Sequence, residues 1–295
     1  MPLPTDSFFS VIVTYHPDIN NLLRLVKQLS AQNIKVIIVD NTGKDTFTVS
    51  ENDAILIRLT ENLGIAAAQN YGIQRAIDNH ANYIFFFDQD STIDPMYTEQ
   101  MWQDWQQASL LSSKPIAAIG PRFIDSRHHF FYKIIKLNAK GIHNKINVSN
   151  IQSPLEVSLI ISSGSLIPVS ALQDIGLMKE ALFIDYVDTE WCLRASAKGY
   201  AIFVASQAVM QHAIGDKIIP LFGFHIPVHS AFRRYFRIRN AFWLARIPHV
   251  PKLLAWREII ITQLQQIILI VVEKDKRANL QSWWRAIRDG LQKRI

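Results

Sequence analysis

The sequence predicts an α/β fold, in which a doubly wound, mostly parallel sheet is flanked by helices and followed by a helical C-terminal extension. Short apolar runs typical of buried strands alternate with segments of helical periodicity through the first 121 residues, and this alternation favours parallel strands. Polar residues directly follow most of these runs, as expected where strands end at a ligand-binding rim. The final quarter is basic and has helical periodicity, which predicts the extension.

Five strands are predicted from runs rich in Val, Ile and Phe, at residues 10–15, 35–40, 54–59, 83–88 and 116–120. Apolar residues recur at helical spacing in residues 18–31 and 64–80, so helices are predicted there. Another helix is predicted to begin at Pro95. The pattern is less regular after residue 121, where one strand is predicted at residues 157–162.

Polar side chains follow four of the predicted strands. Because the carboxyl ends of parallel strands meet at one rim of a sheet, these side chains are expected to converge on a single crevice. In chain order they are Thr14 and Tyr15, Asp40 and Asn41, Glu61 and Asn62, and Asp88 and Asp90.

Asp88 and Asp90 follow a run of three Phe and an Ile, which is typical of a strand covered on both faces. A carboxylate pair at the end of such a strand suits a hard divalent cation that also takes phosphate oxygens as ligands. The alternative is a strand-to-helix turn in which Asp90 or Asp94 only caps the next helix. The sequence pattern at this turn leaves both interpretations open.

Several classes of binding protein are disfavoured. The three spaced glycines of a dinucleotide site are missing after the first strand, where Tyr15, His16 and Pro17 stand, and there is no Walker lysine loop. An NAD enzyme or a P-loop ATPase is therefore not expected. We find no helix-turn-helix, zinc-finger or RNA-recognition pattern, so no nucleic-acid partner is expected either.

The second half of the chain carries polar residues in two places. Residues 162–165, Ser-Ser-Gly-Ser, either bring amides and hydroxyls to a ligand or form an ordinary turn. Further on, Asp185, Asp188 and Glu190 crowd three carboxylates into six positions. Asp188 is placed to cap a helix running to residue 198, but capping accounts for only one of the three acids.

The C-terminal region, residues 229–295, is predicted to form helices at 229–246, 252–276 and 278–294. Residues 233–295 hold 14 Lys and Arg against 4 Asp and Glu, although the whole chain has a net charge of +6. The apolar run at 259–272 is shorter than the roughly 20 residues that span a bilayer. It suits a helix lying in a membrane interface, with Trp256, Trp283 and Trp284 at its flanks, or a helix packed on the body or on a second subunit of a homo-oligomer.

The single cysteine, Cys192, excludes an internal disulfide framework and fits a reducing compartment. The first residues lack the basic start and apolar block of a secretory signal. A cytoplasmic protein is therefore expected.

Taken together, these residues resemble the inverting family 2 glycosyltransferases with the GT-A fold, and among them the bacterial rhamnosyltransferases of surface-polysaccharide synthesis. The matching motifs are Val-Ile-Val-Thr-Tyr at 11–15, Val-Asp-Asn at 39–41, Asn-Leu-Gly at 62–64 with Asn-Tyr-Gly at 70–72, Asp-Gln-Asp at 88–90, Ser-Gly at 163–164, and Val-Asp-Thr-Glu-Trp-Cys-Leu-Arg at 187–194. The segment Tyr-Phe-Arg-Ile-Arg-Asn at 235–240 and the basic C-terminal end resemble the rhamnosyltransferase subgroup.

The resemblance implies roles for individual residues. Ser163, Gly164, Trp191 and Arg194 would meet the acceptor. The nucleotide-sugar site would comprise Thr14, Tyr15, Asp40, Asn41, Asn62, Gly64, Asn70, Asp88 and Gln89.

The resemblance also implies a metal site and a catalytic base. Asp90, with Asp88, would hold Mg²⁺ or Mn²⁺, and His212 matches a position that completes the metal site in relatives, although a lone His is more often structural. Asp188 falls at the position of the family's base. Because Val187 replaces the usual acidic residue before it, Asp185 and Glu190 remain rivals for this role.

The implied reaction moves L-rhamnose from dTDP-L-rhamnose, with inversion, to a glycan on a polyprenyl diphosphate in O-antigen or other surface-polysaccharide synthesis. Residues 1–228 would form the catalytic domain, with a nucleotide-binding half at 1–121 and an acceptor-binding half at 122–228. Residues 229–295 would hold the enzyme on the inner face of the cytoplasmic membrane. A transferase for another nucleotide sugar, a nucleotidyl- or phosphotransferase and a non-catalytic nucleotide-binding scaffold at the membrane are the rival interpretations.

Overall fold

The computed structural model describes residues 8–44, 47–125, 130–138, 140–212, 218–221, 224–227, 230–272 and 275–292. The strands are β1 (Phe8–Thr14), β2 (Lys35–Asp40), β3 (Ile55–Arg58), β4 (Tyr83–Asp88), β5 (Ile116–Asp125), β6 (Ile134–Leu137), β7 (His143–Ile146), β8 (Leu155–Val157), β9 (Leu166–Pro168), β10 (Ala201–His212), β11 (Ile218–Leu221) and β12 (Phe224–Pro227). The helices are α1 (Ile19–Ser30), α2 (Gly64–Asp78), α3 (Tyr97–Leu111), α4 (Val169–Ile175), α5 (Val187–Ala197), α6 (Ala231–Leu244), α7 (Lys252–Val272) and α8 (Lys276–Gln292), with a short 3₁₀ helix at Glu180–Leu182.

Eight strands form one sheet in the order β3-β2-β1-β4-β9-β5-β10-β8. The four strands from β3 to β4 are parallel, and β10 is parallel to β5. By contrast, β9 is antiparallel to both β4 and β5, and β8 is antiparallel to β10. The predicted α/β class with a mostly parallel sheet is confirmed, and β2 and β4 have the predicted bounds.

The apolar run of β4 is buried on both faces of the sheet, as its composition predicts. Ile84 and Phe86 join the core on the side of α2, while Phe85 and Phe87 join the core on the side of α1 and α3. Successive side chains of a strand point to opposite faces, so an uninterrupted apolar run is required here. The strand consequently carries Asp88 from the buried interior to the rim.

The predicted strand at residues 157–162 is wrong, because β8 ends at Val157 and the chain then crosses the sheet without regular structure. Strand β9, which the sequence pattern did not predict, lies between β4 and β5. Residues 162–165 lead into it and form a turn at the rim of the sheet. The Ser165 carbonyl accepts a hydrogen bond from the Phe86 amide at 3.0 Å. Such long-range pairing has no local periodicity, so the sequence pattern did not reveal it.

The three C-terminal helices pack on one another, and α6 and α7 also pack on the preceding body of the chain. A small apolar cluster joins Leu193 of α5 to Leu244, Val250 and Leu254. The predicted boundary at residue 228 therefore separates two regions that share a packed core. Helices α6 and α7 therefore contact α5 directly and contribute to holding it in place.

Candidate functional site

The ends of β1 and β2 are joined at the rim of the sheet. The hydroxyl of Thr14 donates to a carboxylate oxygen of Asp40 at 3.2 Å, and the Asn41 amide donates to the Thr14 carbonyl at 2.8 Å. All three residues are buried. These contacts hold two predicted nucleotide-binding strand ends side by side.

Asn41 and Asn62 position the start of α2. The Asn41 side-chain amide donates to the Asn62 side-chain carbonyl at 2.9 Å, and that carbonyl also accepts from the Gly64 amide at 2.9 Å. Gly64 has a φ of +86°, and a Cβ there would lie 2.6 Å from the ring and carbonyl oxygen of Phe183. Glycine is therefore required by its backbone conformation and by the approach of the loop before α5.

Gln89 ties the turn after β4 to the end of β1. Its side-chain carbonyl accepts from the Tyr15 amide at 2.7 Å, and its amide donates to the Tyr15 carbonyl at 3.2 Å. The Tyr15 ring is 49% exposed. Of the two predicted ligand contacts, the structure thus favours a positioning role for Gln89. The Tyr15 ring meets the His16 ring edge-on, with centroids 4.4 Å apart, and its exposed part can stack on a base.

Asp88 and Asp90 occupy the turn after β4. The Asp88 amide donates to the Ser163 hydroxyl at 3.2 Å, and Asp90 is exposed. Helix α3 begins at Tyr97 with no side-chain cap bond at Met96, so the helix-cap interpretation of Asp90 is wrong. Asp94 accepts from the Met96 amide at 3.0 Å and orders the turn before the helix.

The donor set at this turn suits Mg²⁺ or Mn²⁺ only if the substrate completes it. Within the described ranges, no group of three His, Cys, Asp or Glu is placed to hold a metal. Mg²⁺ is commonly held by one or two carboxylates together with substrate phosphates and water, which Asp88 and Asp90 fit. The His212 side chain lies outside the described residues, but Gln211 beside it pairs with Thr92 of the same turn.

Asp188 lies in the first turn of α5 and does not cap it, because the N-cap is Tyr186. The backbone and hydroxyl of Ser162 both hydrogen-bond to its carboxylate. Burial raises the pKa of Asp188 to about 6; the Ser162 hydrogen bonds oppose that increase, and the charges of Asp88 and Asp185 add to it. A carboxyl with this pKa is ionised at neutral pH and is basic enough to accept a proton.

The two rival carboxylates are engaged by cations. Asp185 accepts two hydrogen bonds from Arg233, both at 3.2 Å. Glu190 is fully buried and accepts from Arg194 at 3.1 and 2.9 Å, and its Oε1 lies 2.9 Å from His249 Nε2. The structure therefore favours Asp188 as the base.

Three residues assigned to ligands by resemblance have structural contacts instead. The Trp191 indole is 2% exposed and donates to the Gly176 carbonyl at 2.9 Å. Arg194 donates to the Leu177 carbonyl at 2.8 Å, and the side-chain amide of Asn70 donates to the Met178 carbonyl at 2.9 Å. These side chains hold the segment that follows α4, which favours a structural role for them.

Ser163 and Gly164 belong to the turn that crosses the rim. The Ser163 hydroxyl lies 3.2 Å from the Ser91 hydroxyl, so it links this turn to the turn after β4. Gly164 has a φ of +76°, and its carbonyl accepts from the Tyr97 hydroxyl at 2.6 Å. Their predicted contact with the acceptor stays a prediction.

Sequence reasoning missed the specific roles of two residues around Asp188. Ser162 was considered only as part of a possible ligand loop, yet its hydroxyl contacts Asp188 and also accepts from the Gln69 side chain at 3.1 Å. Asn240 of α6 contacts the loop before α5. For Asn240 the only signal was its place in the 235–240 motif.

Comparisons with known proteins identify the family to which the sequence is similar. The profile described as Glycosyl transferase family 2 matches residues 10–174. The chain is 38% identical over 291 residues to the dTDP-rhamnosyl transferase RfbF of Shigella flexneri, covering 97% of this chain and 96% of that protein.

Similar solved structures include TarS of S. aureus, with a TM-score of 0.60 and 14% identity over 97% of this chain. GalNAc-T7 with UDP, GalNAc and Mn²⁺ has a TM-score of 0.55 and 12% identity over 92% of this chain. The match spans 49% of the TarS chain and 59% of the GalNAc-T7 chain. At these identities the likeness concerns the fold alone.

Proposed function

Because this chain belongs to glycosyl transferase family 2, we propose that it transfers L-rhamnose from dTDP-L-rhamnose to a glycan acceptor with inversion of the anomeric centre. The observation that supports this reaction is the environment of Asp188. Ser162 hydrogen-bonds to its carboxylate, and the charge of Asp88 contributes to its raised pKa. The 38% identity to a dTDP-rhamnosyl transferase over nearly the whole chain supports the choice of donor. A bacterial O-antigen or other surface polysaccharide is the proposed product.

In the proposed step, Asp188 accepts the proton of the acceptor hydroxyl as the oxygen attacks the anomeric carbon. The new glycosidic bond forms while the bond from that carbon to the diphosphate breaks, and dTDP leaves. A positioned carboxylate base of this kind contributes about 10²- to 10⁴-fold to the rate. Attack opposite the leaving group converts a β-linked donor into an α-L-rhamnoside.

Residues at the rim bind the donor in this proposal. The exposed ring of Tyr15 stacks on the base, and the joined ends of β1 and β2 lie beside the ribose. Asp90 and Asp88 would hold Mg²⁺ or Mn²⁺, which would neutralise the charge that develops on the diphosphate. The Mn²⁺ bound in the structurally similar GalNAc-T7 supports this part of the proposal.

The donor and the metal are tested together by measuring dTDP release from dTDP-L-rhamnose with a polyprenyl-diphosphate-linked glycan. We expect turnover with Mg²⁺ or Mn²⁺, a loss of about 10²-fold or more in EDTA, and recovery when metal is restored. Undiminished turnover in EDTA would remove the metal from the proposal. Turnover of another nucleotide sugar but not of dTDP-L-rhamnose would refute the donor.

We also propose that α7 binds the enzyme to the inner face of the bacterial cytoplasmic membrane, where a polyprenyl-linked acceptor is found. The helix has 21 residues and is long and apolar enough, by length and composition, to cross a membrane. The helix is longer than the apolar run at residues 259–272 that the sequence shows. Its contacts with the body, such as that between Tyr186 and Glu258 at 3.0 Å, favour a helix lying along the surface.

Helix α7 exposes a row of apolar residues and buries polar residues among the apolar ones of its inner face. Its polar residues Glu258, Thr262 and Gln266 are buried against the protein. An exposed stripe, here termed the α7 apolar stripe, comprises Leu253, Trp256, Ile260, Leu264, Ile267 and Val271. Because a soluble protein rarely exposes a continuous apolar stripe, this surface suits a partner that is itself apolar.

Charge favours an anionic lipid surface as that partner. Exposed basic residues on α7 and α8 lie in the same helical pair as the stripe, and each Lys or Arg near such a surface contributes about 1 kcal/mol. The exposed Trp256 and Trp284 have the amphipathic rings typical of a membrane interface. The exposed basic residues are Lys252, Lys276, Arg277, Arg285 and Arg288.

Flotation with phosphatidylglycerol-containing vesicles tests this surface. The triple variant Ile260→Gln, Leu264→Gln, Ile267→Gln is expected to lose vesicle binding, because it removes the apolar area that the bilayer would cover. A matched control replaces two exposed apolar residues of α3, Leu110→Gln and Leu111→Gln, and is expected to float like the wild type. Flotation of the triple variant would contradict membrane binding through the stripe. Dimers of the wild type that the triple variant abolishes and the control retains would instead assign the stripe to a second subunit.

A further inference from the structure

The loop before α5 has an unusual backbone. Phe183, Asp185 and Tyr186 all have positive φ, at 66°, 63° and 62°, although none is glycine. Such a backbone conformation is strained for a residue other than glycine and persists only where its surroundings enforce it. Asp188 follows two residues later, so this strained loop sets the direction from which the proposed base enters the site.

Helix α6 supplies contacts that enforce the loop. The side-chain amide of Asn240 lies 2.8 Å from the Leu182 carbonyl, 2.9 Å from the Ile184 carbonyl and 3.2 Å from the Asp185 carbonyl. Asn240 is fully buried. The two N–H groups of a single side chain therefore lie within hydrogen-bond distance of three carbonyl groups along the strained segment, so at least one N–H is shared between two of them.

Arg239 orients Asn240 and extends the contact. Its guanidinium donates to the Asn240 side-chain carbonyl at 3.0 and 2.8 Å, which directs the Asn240 amide towards the loop. It also donates to the Ala181 carbonyl at 2.7 Å. We call Arg239 and Asn240 the α6 clamp.

Other side chains of α6 and α7 hold the same loop. The Phe183 ring stacks on Phe236 with centroids 4.3 Å apart, and Arg233 pairs with Asp185. The Tyr186 hydroxyl donates to Glu258. Each of the three positive-φ residues thus has a side-chain contact from the C-terminal helices.

The start of α5 has no side-chain cap of its own. Its N-cap, Tyr186, makes no side-chain cap bond. Helices usually depend on such bonds to satisfy their first amides and define their start. Trp191 and Arg194 anchor the later turns of α5, so the contacts from α6 and α7 bear chiefly on its first turn, where Asp188 lies.

We propose that Asn240 is a positioning residue for the glycosyl transfer, acting through the loop that places Asp188. This inference rests on the proposed role of Asp188 as the base. A displacement of about 1 Å in a reacting group costs on the order of 10²-fold in rate. Loss of the clamp is therefore expected to lower kcat. The affinity for dTDP, which is proposed to bind at the ends of β1 and β2, is expected to be unchanged.

The test compares two isosteric changes of buried amides. Asn240→Asp keeps the shape and a partner for Arg239 but removes the donor to the loop carbonyls. Gln266→Glu is the matched control, since Gln266 is equally buried and donates to the Asn279 carbonyl at 3.0 Å, away from the loop. Arg239→Lys supplies a second clamp variant should Asn240→Asp fold poorly.

Hydrogen–deuterium exchange and kinetics provide the readouts. In Asn240→Asp we expect amides 183–187 to exchange about tenfold faster, because the change removes the side-chain hydrogen bonds to the loop carbonyls. In the same variant we expect kcat to fall about 10²-fold while the affinity for dTDP is unchanged. Arg239→Lys is expected to change both quantities in the same direction. Gln266→Glu is expected to leave loop exchange and kcat as in the wild type.

Unchanged loop exchange, or a kcat in Asn240→Asp equal to that of the control, would overturn the positioning role. A wild-type enzyme without turnover would refute the proposed function instead, and the exchange comparison would still decide whether the clamp holds the loop. The two failures are therefore distinguishable.

Discussion

Replacing Asp188 with Asn is expected to lower kcat by about 10²- to 10⁴-fold, because the amide cannot accept the proton of the acceptor hydroxyl. The change is nearly isosteric, so Ser162 keeps a partner and the donor site is undisturbed. The measurement is dTDP release from dTDP-L-rhamnose with the polyprenyl-linked acceptor. Undiminished turnover would remove Asp188 as the base.

Asp174→Asn is the matched control for this change. Asp174 lies on α4, more than half exposed, where it bonds Tyr200 at 2.9 Å and pairs with Lys198 at 3.4 Å. Surface ion pairs of this kind contribute little. The control is therefore expected to keep wild-type kcat.

The raised pKa of Asp188 predicts how kcat in the same assay changes with pH. Below pH about 6 the Asp188 carboxyl is protonated and cannot act as a base, so kcat is expected to fall as the pH decreases through that value. Stability changes in the opposite direction. The folded state retains the proton at a pH where the unfolded state has lost it, so the contribution of Asp188 to stability decreases as the pH rises from about 4 to about 6.

Replacing Glu190 with Gln is expected to destabilise the protein by about 3–5 kcal/mol, because the partly buried guanidinium of Arg194 loses its fully buried carboxylate partner. Glu190 has no exposed surface and lies at the centre of contacts from Arg194, His249 and Lys179. The free energy of unfolding, measured with urea, provides the readout. The kcat of the folded fraction is expected to stay within a few-fold of the wild type.

The control for this prediction is Glu156→Gln, which breaks the exposed pair between Glu156 and Lys114 at 3.1 Å. It is expected to cost about 1 kcal/mol or less. A loss of stability at Glu190 no greater than at Glu156 would contradict the structural assignment. A loss of kcat as large as that of Asp188→Asn, at unchanged stability, would return Glu190 to candidacy as the base.

Much of the fold was accessible from the sequence because its signals are local. The apolar run before Asp88 predicted β4 with its observed bounds, and alternation with helices predicted the mostly parallel sheet. Strand β9 was missed, since its place between β4 and β5 depends on pairing with residues about 80 and 47 positions earlier in the chain. Spacing within one segment contains no information about such pairing.

The site divides in the same way. The motifs placed Thr14, Asp40, Asn62 and Asp88 at one rim, because strand direction alone brings those ends together. They did not distinguish ligand contacts from internal contacts. Gln89 and Trp191 belong to the motifs, yet both make their observed hydrogen bonds to the protein backbone.

The choice among Asp185, Asp188 and Glu190 shows the physical reason most directly. Their order along the chain is local information, and it was sufficient to identify a carboxylate-rich helix start. Whether each acid is available as a base depends largely on partners distant in sequence: Arg233 for Asp185, and His249 for Glu190, which also pairs with the nearby Arg194. Folding brings these side chains to two of the acids and brings Ser162 to the third, which makes Asp188 the proposed base.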